Sequence, residues 1–103
     1  HERLRTGLRT VYGWYGRNAE LLACVLRDAE FHPITRETGE RQFGPVMAAC
    51  NEVLGAGLTP AQRAMLRLAL SFFSWRTLVR EAGLSQDAAI EAMIGAIDSA
   101  ANP

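Results

Sequence analysis

Apolar residues recur at three- and four-residue spacing along the whole chain, and no useful stretch alternates with period two. That pattern excludes a sheet and dictates an all-α fold. The first predicted helix, about 2–16, places Leu4, Leu8, Val11, Tyr12 and Tyr15 on one face, with Arg5, Arg9 and Arg17 off it and Gly13 and Gly16 weakening its end. Asn18 is positioned to cap a second helix, about 19–31, whose Leu21, Leu22, Val25 and Leu26 point inward. Pro33 ends it, since the residue before a proline is pushed out of helical geometry.

The third helix, about 35–55, carries Phe43, Val46, Met47, Cys50, Val53 and Leu54. Gly44-Pro45 inside it removes a backbone donor, so a kink or a break is expected there. Thr59-Pro60 is the cleanest start signal, a capping hydroxyl followed by proline at the first helical position. The fourth helix then runs about 60–82 and stops at Gly83, a left-handed C-cap. Ser85 caps a fifth, about 86–101, closed by Asn102-Pro103.

Such a chain of 103 residues supports one core, and residues 1–103 read as a single domain. Its eleven basic residues, all Arg, balance eleven acidic ones, which argues against a free-standing nucleic-acid binder or a membrane-surface protein. No stretch is long and apolar enough to span a membrane, and no signal peptide is visible. Two cysteines, Cys24 and Cys50, at no metal-ligand spacing point to a reduced cytoplasmic protein without a structural metal. The chain opens at His1-Glu2 and enters helical sequence with no cap ahead of it, so it reads as part of a longer protein.

The last two helices are apolar around much of their circumference. In the fourth, Ala61, Met65, Leu68, Ala69, Phe72, Trp75 and Val79 form one face and Leu66, Leu70 and Phe73 another, leaving only the Arg63, Arg67, Ser71, Ser74 strip plainly polar. The fifth pairs an Ile90, Ile94, Ile97, Ala101 edge with an Ala89, Ala92, Ala96, Ala100 edge. A surface helix needs an apolar stripe of only ~100°. The expected architecture is therefore five helices whose last two meet a second copy in a four-helix bundle, through Leu66, Leu70, Phe73, Ile90, Met93, Ile94 and Ile97.

REAGLSQDAAIEAM, residues 80–93, has the cadence of a helix-turn-helix, but its chemistry does not fit DNA. Past Arg80 no basic residue remains, and Glu81, Asp87, Glu91 and Asp98 would face a polyanion. Gly83 and Ser85 serve any tight helix junction, so no DNA-contacting residue is assigned in this chain.

Three segments, LRTVYGWYGRNAELLACVLRDAE (8–30), ALSFFSWRTLVREAGLS (69–85) and the Ala/Ile-rich helix after them, resemble the C-terminal regulatory domain of TetR-family transcriptional regulators. The resemblance implies a bacterial regulator, most simply a repressor, in which such a domain binds a small effector and dimerises through its last two helices. It also implies that operator DNA is contacted only by an N-terminal domain upstream of this chain.

A pocket in a helical bundle is largely apolar with a few orienting polar groups. The candidates are Tyr12, Trp14, Tyr15, Met47, Cys50, Phe72, Trp75 and Arg76, with a mostly apolar effector and no cofactor expected. Arg76, between Phe72 and Val79 on an apolar side, is expected to pair with Asp28 or Glu30 or to orient an acidic ligand. Neither His32 beside Asp28 nor Ser71 and Ser74 has the partners that metal binding or nucleophilic catalysis needs, so no catalytic residue is assigned and an enzyme is not expected. The rival reading is a small helical dimer acting as a scaffold or interaction module without a DNA-binding partner domain.

Overall fold

The computed structural model describes residues 2–101, in which helices are joined by short connections and no strand occurs. The elements are α1 (Glu2–Arg17), α2 (Ala19–Phe31), α3 (Pro33–Leu54), α4 (Pro60–Ala69), α5 (Phe72–Trp75), which runs into a π-helical segment at Arg76–Glu81, and α6 (Gln86–Ser99). The expected closure at Asn102-Pro103 lies outside the described residues.

The start signals behave as their chemistry demands. Thr59 Oγ1 accepts from the Gln62 N–H at 3.2 Å while Gln62 Oε1 accepts from the Thr59 N–H at 3.0 Å, a complete capping box. Ser85 Oγ accepts from the Ala88 N–H, and Gly83 takes a φ of 77° at the preceding stop. Asn18 departs from expectation. Its side chain makes no cap for α2 and instead donates from Nδ2 to the Trp14 carbonyl, closing the end of α1. One residue outside helical geometry thus suffices between α1 and α2.

Pro45 does not break α3. The helix runs unbroken across it because a single missing donor, at an exposed position, costs less than unwinding 22 residues. The break falls in the fourth predicted helix instead. At Leu70-Ser71 the chain leaves helical geometry, and Ser71 Oγ caps the next turn by accepting from the Phe73 N–H at 3.1 Å. Carbonyls freed by this break would be orphans in the interior. They are taken up by hydroxyls: Tyr12 donates to Ala69 O at 2.6 Å and Tyr15 to Leu70 O at 2.5 Å, while at the exposed side Ser74 donates to Leu68 O, which also accepts from the Ser71 N–H.

The break changes which side chains reach the core. In an unbroken helix at ~100° per residue, Leu66 and Trp75 would stand about 180° apart. Both are buried here, at 0% and 2% exposure. A phase change at Leu70-Ser71, followed by the wider π-helical turn at Arg76–Glu81, lets the two apparent faces address one interior. The π geometry persists to Ala82, whose N–H donates to Thr77 O, and beyond the left-handed Gly83 the Leu84 N–H closes the end on Leu78 O.

The core gathers Leu4, Leu8, Tyr12 and Tyr15 of α1 with Leu66, Ala69, Leu70, Phe72, Trp75, Ala89, Ile90, Ile94 and Ile97, joined by Leu22 and Leu54. α1 packs on α6, where Arg5 clasps Glu91 through Nε and Nη2, each at 2.8 Å. Arg5 is drawn to a raised pKa by this carboxylate and by Glu2, while Glu91 is lowered chiefly by its hydrogen bond from Arg5. α2 and α3 form a hairpin at the periphery. Of their expected inward residues, Leu22 and Leu54 are buried, whereas Leu21, Phe43, Val46 and Val53 are exposed.

Five of the seven expected dimer-interface residues, Leu66, Leu70, Ile90, Ile94 and Ile97, lie at 5% exposure or less inside a single copy. Side chains so covered have no surface to offer a partner. Read as one continuous helix, residues 60–82 have a second face that needs outside cover; the break at Leu70-Ser71 turns that face inward instead. Phe73 remains half-exposed and Met93 partly covered.

Candidate ligand-binding cleft

The break that organises the core also builds a cleft. α1 brings Trp14 and Tyr15, α2 Leu22 and Leu26, and α3 Phe43, Met47 and Asn51 to one side of an open cleft of about 990 Å³. Arg63, Ala64 and Arg67 of α4, with Leu70, Ser71, Phe72 and Phe73 of the junction and α5, form the other. Its apolar wall is a relay of rings: Phe43 lies 5.9 Å from Trp14, Trp14 5.9 Å from Tyr15, and Tyr15 meets Phe72 edge-on at 5.4 Å.

Four of the eight sequence-predicted ligand residues, Trp14, Tyr15, Met47 and Phe72, line this cleft. Tyr12, Cys50, Trp75 and Arg76 do not. Tyr12 and Trp75 are inside the core, where Tyr12 serves the Ala69 carbonyl and Trp75 stacks on Phe72 at 5.6 Å. Trp75 Nε1 is buried without a hydrogen-bond partner. Cys50 is partly covered beside the core and neighbours Tyr15 closely enough to raise its pKa.

Arg76 pairs with neither Asp28 nor Glu30. Its guanidinium lies 5.0 Å from the Phe73 ring centre and 5.8 Å from that of Phe72, with Glu81 at 4.0 Å from Nε. The π-helical turn carries this side chain to a position 42% exposed, so its charge needs no buried counter-ion. Arg80 covers Trp75 in the same manner, at 5.2 Å.

Both tyrosines stay protonated far into alkali. Burial pushes Tyr15 up to about 12, with Cys50 adding to the shift, and drives Tyr12 higher still with Tyr15 adding to it. Their hydroxyls are thus permanent donors to the carbonyls of the broken helix. Tyr15 faces the cleft and the junction together.

Phe43, Phe73, Arg63 and Arg67 were not foreseen as cleft residues. The signal for the arginines was present: Arg63, Arg67 and Ser71 recur every fourth residue, the one polar strip of the fourth predicted helix. That strip reads as solvated, yet it lines the cleft. The ion pairs of Arg5, Arg41 and Arg76 are made elsewhere, and among the described residues neither Arg63 nor Arg67 is held by a carboxylate, although Glu52 also lines the cleft.

Among the described residues no group of three or more His, Cys, Asp or Glu side chains could hold a metal ion, and no helix is long and apolar enough to cross a membrane. No protein-family model, curated protein or solved structure matches this chain.

Proposed function

We propose that this chain is the effector-binding and dimerisation domain of a TetR-like transcriptional regulator acting as a repressor. The observation that carries the reading is the aromatic-walled cleft, which meets the helix break through Tyr15, Leu70 and Ser71. The resemblance of segments 8–30 and 69–85 to that family supplies the regulatory context.

In this reading the effector enters between the α2–α3 hairpin and α4. A molecule seated there presses on Tyr15, whose hydroxyl holds the Leu70 carbonyl, and so biases how α1 sits against α4 to α6. α1 is the helix nearest any upstream DNA-binding head, and its displacement would change the spacing of two heads in a dimer. Linkage then requires operator DNA to alter effector affinity by the same factor.

With the Leu66 and Ile edges consumed inside each copy, α4 and α6 offer a partner Ala61, Met65 and Leu68, at i, i+4 and i+7, together with Met93. We assign the twofold contact to this surface. The function is tested by reading the coding sequence ahead of His1: about 50 residues or more of basic three-helix sequence are expected, the size of a small domain. A start codon with no room for such a segment overturns the regulator reading.

A further inference from the structure

We infer that the cleft selects an amphipathic carboxylate, an apolar aliphatic or aromatic body carrying a single acidic head. The inference deepens the effector-binding reading and rests on it. The cleft has two unlike edges. Along one stand Trp14, Phe43 and Met47, and along the other the Arg63, Arg67, Ser71 strip. The two arginines are one helical turn apart on α4, so both lie on the helix face that lines the cleft.

Neither guanidinium is engaged by an acidic side chain among the described residues, and both keep their full donor forks for a ligand. Ser71 is occupied only as an acceptor, from the Phe73 N–H, which leaves its hydroxyl proton to donate. Glu52 is the one acidic residue lining the cleft, so two positive groups face one negative. A monoanionic head finds net attraction there, a cationic head does not, and a neutral alcohol gains nothing from the guanidinium pair. The chain as a whole is neutral, so this preference comes from the strip and not from a global field.

Titrating the 103-residue chain with decanoate, decan-1-ol and decyltrimethylammonium separates these terms, since the three share one apolar tail. Calorimetry gives the affinities, and Trp14, which lines the cleft and is 36% exposed, reports occupancy by fluorescence. Decanoate is expected to bind at least tenfold tighter than decan-1-ol, and the cation weakest. Arg63→Gln with Arg67→Gln, both at exposed positions, should bring decanoate down to the alcohol's affinity while the helical circular dichroism and the alcohol's binding stay unchanged. Equal binding of decanoate and alcohol, or a preference that survives the double substitution, overturns the carboxylate inference and leaves the cleft as a binding site. Failure of all three to bind overturns both.

Discussion

Tyr15 donates its hydroxyl hydrogen bond to the carbonyl of Leu70, 55 residues further along the chain, at 2.5 Å in the buried interior. With the Tyr12 bond to Ala69 it converts a gap in helical bonding into a fixed corner. The corner decides both what the core contains and where the cleft opens.

Tyr15→Phe keeps the ring and removes the donor, leaving Leu70 O unsatisfied. A loss of about 1–3 kcal/mol is expected for this substitution, and a similar one for Tyr12→Phe. Urea unfolding followed by circular dichroism measures it as a lower midpoint with unchanged slope. If either variant is as stable as the parent, the hydroxyl bonds do not hold the corner.

Stability should fall in alkali in a defined window. Folded Tyr15 ionises near 12 against an ordinary value near 10, so its contribution is complete below pH 10 and is lost as pH rises through 12. The slope is about 1.4 kcal/mol per pH unit for each such tyrosine inside the window. Both tyrosines of the chain are buried, so the folded protein should show almost no phenolate absorbance at 295 nm at pH 10.5, whereas urea-unfolded protein should be mostly ionised. A native titration near pH 10 would contradict the burial.

Thr59→Ala removes one half of the reciprocal cap at the start of α4 and should cost about 1 kcal/mol. Thermal melting measures it. Thr59→Ser, which keeps the oxygen, should retain most of the stability, and equal losses in the two variants would show that the hydroxyl is not the operative group.

Leu68→Glu and Ile94→Glu distinguish the proposed dimer surface from the core. Leu68 is 53% exposed, so glutamate there should leave the fold intact and give monomers by light scattering. Ile94, at 5%, cannot accept a charge without unfolding the chain, whatever its oligomeric state. A Leu68→Glu protein that remains a dimer places the contact elsewhere.

Much of the fold is legible in the sequence because it rests on local chemistry. Helical periodicity gives the all-α class, Thr59-Pro60 and Ser85 fix two helix starts, and Gly83 fixes a stop, each through bonds within a few residues. The face of α1 is equally plain, since Leu4, Leu8, Tyr12 and Tyr15 keep strict spacing and all are buried. Half of the predicted ligand residues reach the cleft for the same reason: the aromatics of α1 and α5 lie on faces that spacing defines.

What spacing does not carry is the break at Leu70-Ser71, because the groups that make it possible are the hydroxyls of Tyr12 and Tyr15, far away in sequence. No local signal at 70–71 outweighs the continuing helical pattern, whereas Pro45 gives a strong local signal that the structure overrides. Once the break exists, two faces become one core, five expected interface residues turn inward, and the Arg63, Arg67, Ser71 strip, its arginines still exposed, comes to line a cleft. The sequence alone therefore determines which segments are helical and which side chains are apolar. The tertiary structure decides the phase between those segments, because buried carbonyls must find donors and only the folded chain brings them within reach.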